Sequence, residues 1–460
     1  MSIRTAIRPS LPLLAAALLI AVTAVGCKRA EREAPKPAPA PVVKEAPART
    51  REQAMEALLA VPELKAWSEQ IEKRSKGKAH GAVIEDDPVP RFFAFLLAFM
   101  GAMTGVVVSG NLVQLAFFWE LTSLFSFLLI GYWHHTTAAR EGARMALTVT
   151  ATGGLALFAG MLVLGHIVGS YDLDAVLEAG DRIREHPLYL AALVLMLLGA
   201  LTKSAQFPFH FWLPNAMAAP TPVSAYLHSA TLVKAGVFLM ARFWPVMAGT
   251  ESWFLIVGTA GLVTMLLGAY VAIFQNDLKG LLAYSTISHL GLITLLLGLN
   301  SELALVAAVF HILNHAAFKA SLFMAAGIID HETGTRDIRR LSGLNRSMPF
   351  TARLALVAAA AMAGVPLLNG FISKEMFFAE ALSADAPLGL TNILPFAAML
   401  GSAFSVAYSL RFIHGAFFGP DPVDLPRTPH EPATWMRFPS RRRSSGSPSI
   451  PLRSQRCDER

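Results

Sequence analysis

Between residues 92 and 418 the sequence is a succession of long apolar stretches. They lie at about 92 to 109, 112 to 132, 145 to 168, 189 to 212, 222 to 247, 253 to 274, 281 to 299, 302 to 328, 351 to 382 and 393 to 418. Each reaches or approaches the roughly 20 residues that carry a helix across a bilayer. Ten such spans leave little choice of fold class. At membrane depth every backbone N–H and C=O must be paired without help from water, so the chain reads as an all-α, polytopic membrane helix bundle in contact with the lipid bilayer. Charged residues make up only 15% of the chain, well below the quarter or so usual in soluble domains.

A formal net charge of +7 invites a nucleic-acid reading, but its distribution excludes one. Residues 92 to 419 hold 16 basic and 16 acidic side chains, so the excess sits at the two ends and no basic groove runs through the body. The two cysteines, Cys27 and Cys457, stand at opposite ends of the chain. No disulfide framework, iron–sulfur ligand set or other cofactor is expected from them.

The ends differ in kind from the middle. Residues 1 to 27 place Arg4 and Arg8 before an apolar run and then Gly26-Cys27, which resembles a bacterial lipoprotein signal with Cys27 as the lipidation candidate. Residues 28 to 91 combine a Pro/Ala-rich linker with a short stretch of helical periodicity. Residues 419 to 460 form a basic tail whose Arg-, Ser- and Pro-rich run after 439 reads as out of frame.

Lysine and arginine asymmetry gives the membrane orientation. Arg140, Arg144, Lys279, Arg336, Arg339, Arg340 and Arg346 fall in loops of one parity, expected to be cytoplasmic. The opposite parity holds Asp172, Asp174, Glu178, Asp181 and Glu185. This orientation keeps residues 28 to 91 inside, whereas an export signal would leave them outside. Either the first 27 residues neither export nor span, or residues 1 to 90 and the membrane region were not selected as one polypeptide.

Inside the spans lie Glu120, Lys203, Lys234, Lys319 and Lys374, with His228, His311 and His315. A charged side chain at a helix centre costs about 2.5–3.5 kcal/mol on insertion scales, so a set of eight marks an ion or proton path. Glu120 needs a partner, and Lys203 is the natural candidate. Pro208 and Pro214 follow Lys203, and Pro366 precedes Lys374, so both lysines are expected beside helix breaks, where transporters build ion sites. His311, His315 and Lys319 are spaced by four and share a helix face. A zinc pair is possible at that spacing, but no third-ligand motif accompanies it. A proton-relay stripe is the better reading, since neutral imidazole accepts on one nitrogen and donates from the other.

These residues sit in recognisable motifs. Phe118-Trp119-Glu120-Leu121-Thr122-Ser123, Leu201-Thr202-Lys203-Ser204-Ala205-Gln206-Phe207-Pro208-Phe209-His210, His228-Ser229-Ala230-Thr231-Leu232-Val233-Lys234-Ala235-Gly236 and Asn314-His315-Ala316-Ala317-Phe318-Lys319 resemble the proton-translocating antiporter module. That module is shared by respiratory complex I and the Mrp-type monovalent cation/proton antiporters. Lys234 after His228, His331-Glu332-Thr333-Gly334-Thr335-Arg336-Asp337 and Ser373-Lys374-Glu375 look more like the A-type subunit of the Mrp (Pha, Mnh) antiporters. The resemblance covers about 92 to 439. It implies two inverted five-helix units, 92 to 247 and 253 to 418, with broken helices.

By the same resemblance Glu120 and Lys203 form a carboxylate–lysine pair. His228, Lys234, His311, His315 and Lys319 continue a central hydrophilic path, and Lys374 is its terminal lysine. The implied protein is a bacterial inner-membrane subunit of a larger antiporter complex exchanging Na⁺ or K⁺ for protons. It is not an enzyme, has no cofactor, and works with the other subunits of its complex. Family members carry additional helices before and after this region. Alternatives are a proton-pumping subunit of a complex I-like or hydrogenase-linked enzyme, a membrane-anchored lipoprotein, and a truncated fusion without function.

Overall fold

Side-chain caps at Asn111, Thr136, Thr250, Asp277 and Ser301 start five of the long helices, and the caps at Asn111 and Thr136 recur at Asp277 and Ser301. The computed structural model describes residues 89–384 and 387–432. In the first half, α1 (Val89–Val108), α2 (Leu112–Ile130), α3 (Thr137–Val168), α4 (Tyr189–Lys203) and α5 (Thr221–Met247) run in order. In the second, α6 (Glu251–Ile273), α7 (Leu278–Gly298), α8 (Glu302–Thr333), α9 (Pro349–Ala363), α10 (Asn369–Ser383) and α11 (Ile393–Phe417) follow. Eight of these helices are long and apolar enough to cross a membrane, and α4 and α9 are shorter apolar helices. With α9 and α10 taken as one broken span, ten crossings result.

The two halves repeat each other. Asn111 caps α2 through Val113 N, and Asp277 caps α7 through Gly280 N. Both α3 and α8 have 32 residues and end on a left-handed glycine, Gly169 at φ 78° and Gly334 at φ 74°. A Cβ would strain either turn, so glycine belongs there. Asn111 then pairs in an antiparallel bridge with Asp172, and Asp277 with Asp337. The bridge bonds are Leu112 N to Tyr171 O and Leu173 N to Gly110 O in one half, and Leu278 N to Arg336 O and Ile338 N to Asn276 O in the other. Five crossings per repeat is an odd number, so the second repeat enters the membrane from the opposite side. The same bridge consequently sits at both ends of the bundle. It is flanked by Asp172 and Asp174 at one end, and by Arg336, Arg339 and Arg340 at the other.

Close backbone approach locks the helices together, as in membrane packing through small residues. A Cβ on Gly291 would meet the backbone of Met265 and Gly261, and one on Gly261 the backbone of Leu295 and Gly291, so α6 and α7 touch along glycine faces. Helix α7 is the most enclosed, with 19 of its 21 residues buried. Its polar residues can therefore meet partners only inside the protein.

The helix breaks expected beside Lys203 and Lys374 are present, and the loop placement of Lys279 needs correction. The apolar stretch 189 to 212 is not one helix: α4 stops at Lys203, Ala205 takes φ 48°, and the chain continues through one-turn segments to Ala218. The stretch 351 to 382 is divided by residues 364–368, with Gly364 left-handed. Lys279, assigned to a cytoplasmic loop, is instead buried in the first turn of α7 and donates to Ala219 O at 2.9 Å. Arg140 and Arg144 belong to the exposed first turns of α3. The signal-like segment, Cys27, the linker and the tail after 432 lie outside the described residues.

Candidate functional site

The breaks in the fourth span of each repeat set the ends of a buried polar array. Lys203 is the last residue of α4 and fully buried. Its ammonium donates to Trp119 O at 2.6 Å and to Thr122 Oγ1 at 2.7 Å, and lies 4.4 Å from the centre of the Trp119 ring. Glu120 is the next residue on α2, yet among the described residues no ion pair joins it to Lys203, and its Oε1 is buried without a protein partner. The expected pair is thus adjacent but not closed. Space for Glu120, and for Thr202 beside Lys203, comes from α3. A Cβ on Gly154 would collide with the Glu120 carboxylate, and one on Gly153 with Thr202.

Two bonds tie α4 to α5: Ser204 Oγ donates to Val233 O at 2.7 Å and accepts from Val237 N at 3.0 Å. Residues Tyr226–Ala230 of α5 form a π-turn that carries His228. Such turns release backbone carbonyls, and often do so at functional sites. Lys234 uses one, donating to Ser229 O as well as to His315 Nδ1 at 2.9 Å. His228 is buried edge-on to Trp212, with no protein partner on either ring nitrogen.

The stripe His311, His315 and Lys319 on α8 is fully enclosed, and its members reach different sets of helices. His315 meets Lys234 of α5. Lys319 donates to Ser285 Oγ of α7 at 2.6 Å and contacts Met362 Sδ of α9 at 3.2 Å. His311 lies 3.0 Å from Ser373 Oγ of α10 and 2.9 Å from the Nδ1 atom of His289 on α7. Among the described residues no group of three or more His, Cys, Asp or Glu side chains could hold a metal ion. The imidazoles bond instead to one another and to lysine, serine and tyrosine.

His289 is absent from the set that the sequence singles out, although the criterion that selects His228 applies to it: it is an ionisable side chain inside an apolar span. It is the hub of the array. Its Nδ1 meets His311 Nε2, its Nε2 lies 3.1 Å from the Tyr408 hydroxyl, and its ring centre is 5.2 Å from that of His315. Lys374 closes the far end, donating to Ala363 O at 2.8 Å, the last carbonyl of α9, and to Ser405 Oγ at 3.0 Å. Asn314 and Asn369 exchange hydrogen bonds across the same break. Pro366 lies within the second break. At the first, the helix has already ended when Pro208 is reached, and Pro214 sits in a one-turn helix.

Buried ionisable side chains therefore run from Lys203 in the first repeat, through Lys234, His315, His289 and His311, to Lys374 in the second. Successive members are linked by hydrogen bonds, ring contacts or bonded helices. Such an array can hold and relay protons across the interior of the bundle.

Comparison with known proteins gives consistent matches. Residues 109–400 match the family described as "NADH:quinone oxidoreductase/Mrp antiporter, TM". The A/B-type subunit of a probable K⁺/H⁺ antiporter of Rhizobium meliloti (strain 1021) is 75% identical over 355 residues, covering 77% of this chain and 36% of the relative. The A-type subunit of a Na⁺/H⁺ antiporter of Bacillus subtilis (strain 168) is 47% identical over 373 residues, covering 77% and 46%. This chain thus spans less than half the length of these curated relatives. Among solved structures, the Mrp complex from Dietzia sp. DQ12-45-1b matches with TM-score 0.68 and 41% identity, covering 71% of this chain and 36% of that one. The membrane-bound sulfane sulfur reductase, an archaeal respiratory membrane complex, matches with TM-score 0.69 and 25% identity, covering 78% and 72%.

Proposed function

This chain belongs to the NADH:quinone oxidoreductase/Mrp antiporter transmembrane family, and from that premise we propose that it conducts protons for a larger antiporter complex that exchanges Na⁺ or K⁺ for H⁺. The complex would sit in a bacterial inner membrane, where this chain works beside the other subunits. The observation that carries the reading is the buried array itself: Lys203, Lys234, Lys319 and Lys374 are all enclosed within the bundle, each with specific polar partners. Taking an ammonium out of water is costly, and packing alone gives no reason for four of them.

The mechanism is electrostatic. Lys203 rests on Trp119 O and Thr122, one residue from the Glu120 carboxylate. Two states follow, one with the ammonium on the carbonyl and hydroxyl, the other with it on the carboxylate. Charge arriving at Lys234 repels Lys203 toward Glu120, because such interactions act over several ångströms in a water-poor interior. Closing that pair in turn withdraws positive potential from the middle of the array, which makes room for the next proton. His228, His311, His315 and Lys319 hold protons in transit.

A second reading is supported by the likeness to one chain of the archaeal respiratory membrane complex, 72% of which the match covers. Here the chain would be a proton-pumping subunit driven by redox partners. Purification separates the two: small antiporter subunits recovered with the chain support exchange, while redox subunits overturn it. Cation-induced collapse of a proton gradient in everted vesicles, read with a fluorescent dye, tests the exchange itself.

A further inference from the structure

Among the described residues Lys374 donates to Ala363 O and Ser405 Oγ and not to the α8 stripe, yet a proton path needs a connection between them. Two buried side chains that the function above leaves unused stand between them, His289 on α7 and Tyr408 on α11, 2% and 0% exposed. A small cavity, lined by Ser288, His289, Lys374, Ser405 and Tyr408 among others, has room for about one water molecule. Lys374, His289 and four hydroxyls, those of Ser288, Ser402, Ser405 and Tyr408, border it and can hold one. We propose that His289 and the Tyr408 hydroxyl, with a water in this cavity, form the relay that passes protons between His311 and Lys374.

This relay rests on the proton-conducting reading above, and each of its steps balances. An imidazolium at His311 gives its Nε2 proton to His289 Nδ1, across 2.9 Å. His289 releases its Nε2 proton to the Tyr408 oxygen, across 3.1 Å. The tyrosine passes its own hydroxyl proton to the cavity water, and the water passes one of its protons to the neutral amine of Lys374. His311 ends neutral and keeps its Nδ1 proton toward Ser373. Lys374 ends as an ammonium, donating to Ala363 O and Ser405 Oγ. Tyrosine and water are unchanged, and only His289 has exchanged one tautomer for the other. A hydroxyl is both donor and acceptor, so Tyr408 serves either tautomer. The ring of His289 must switch back before the next proton passes, so the relay carries one proton per reset.

The test uses Tyr408→Phe, which keeps the ring and removes the hydroxyl, and His289→Gln, which can hydrogen-bond but not relay. Both are expressed in the membrane with the other products of the chain's own locus. Each should lower cation-dependent proton flux by about tenfold or more and raise the ratio of rates in H₂O and D₂O. Wild-type flux in either variant, or a loss with an unchanged isotope ratio, overturns the relay. Lys203→Ala separates the two levels of the argument: if it alone stops exchange, the path stands without this relay, and if it does not, the path itself fails. Histidine ¹⁵N spectra of the unaltered protein give a readout independent of any variant. His289 should exchange between two tautomers, and one fixed tautomer contradicts the relay.

Discussion

Lys203 is bonded to the carbonyl of Trp119 and the hydroxyl of Thr122, not to the carboxylate of Glu120, which follows Trp119 on α2. Gly154 gives the carboxylate its place, because any Cβ there would occupy the position of Glu120 Oε1.

Gly154→Ala should therefore force Glu120 off α3. The expected cost is about 1–3 kcal/mol of stability, as for other overpacked sites, together with a fall in proton flux. Gly101→Ala, where nothing lies within 4 Å of the added atom, should leave both unchanged. Thermal melts of the two purified variants make the comparison, and equal melting temperatures would refute the steric account.

Glu431 reaches back some eighty residues to accept from Phe350 N at 2.7 Å and Thr351 N at 3.0 Å, capping α9 from outside the helix. Glu431→Gln or Glu431→Ala should speed amide exchange at Phe350 and Thr351 and cost on the order of 1 kcal/mol. Amides at the start of α2, capped by Asn111, serve as the internal control. Unchanged exchange at both α9 amides would show that the cap contributes nothing.

The repeated bridge puts Asp174 and Arg339 at opposite ends, and the Lys/Arg asymmetry makes the Arg339 end cytoplasmic. With both native cysteines replaced, Asp174→Cys should react with an impermeant maleimide only from outside the cell, and Arg339→Cys only from the cytoplasmic side. Labelling of both from one side would contradict the inverted repeat.

On the basic face, hydrogen bonds from the Arg339 guanidinium hold the Asp337 carboxyl below the usual carboxylate range. The folded state thus prefers the ionised form. Its contribution to stability is present above the unfolded pKa and is lost as pH falls through the depressed folded value. Exposure keeps the effect small. Arg339→Leu should remove this part of the acid dependence of the melting temperature and leave the alkaline side alone.

Much of this architecture is legible in the sequence, for a physical reason. Lipid demands about 20 apolar residues per crossing, so the ten spans and the ionisable residues within them stand out by contrast. Prolines near Lys203 and Lys374 point to the breaks. The sequence is silent on where each side chain turns. Helical spacing puts His311, His315 and Lys319 on one face, but it cannot show that His311 reaches α7 and α10, His315 α5, and Lys319 α7 and α9. His289 and Tyr408 are single polar residues in otherwise ordinary spans, and their role depends on helices more than a hundred residues apart coming into contact. Lys279 reads as a loop residue because loop charges and first-turn charges look alike in a sequence.

The central claim is that the buried array carries the protons. Its most direct measurement is cation-dependent proton exchange by Lys203→Ala in everted membrane vesicles, with the amount of assembled protein measured alongside. Exchange should disappear while the protein remains at its normal level. Exchange at the wild-type rate would contradict the account.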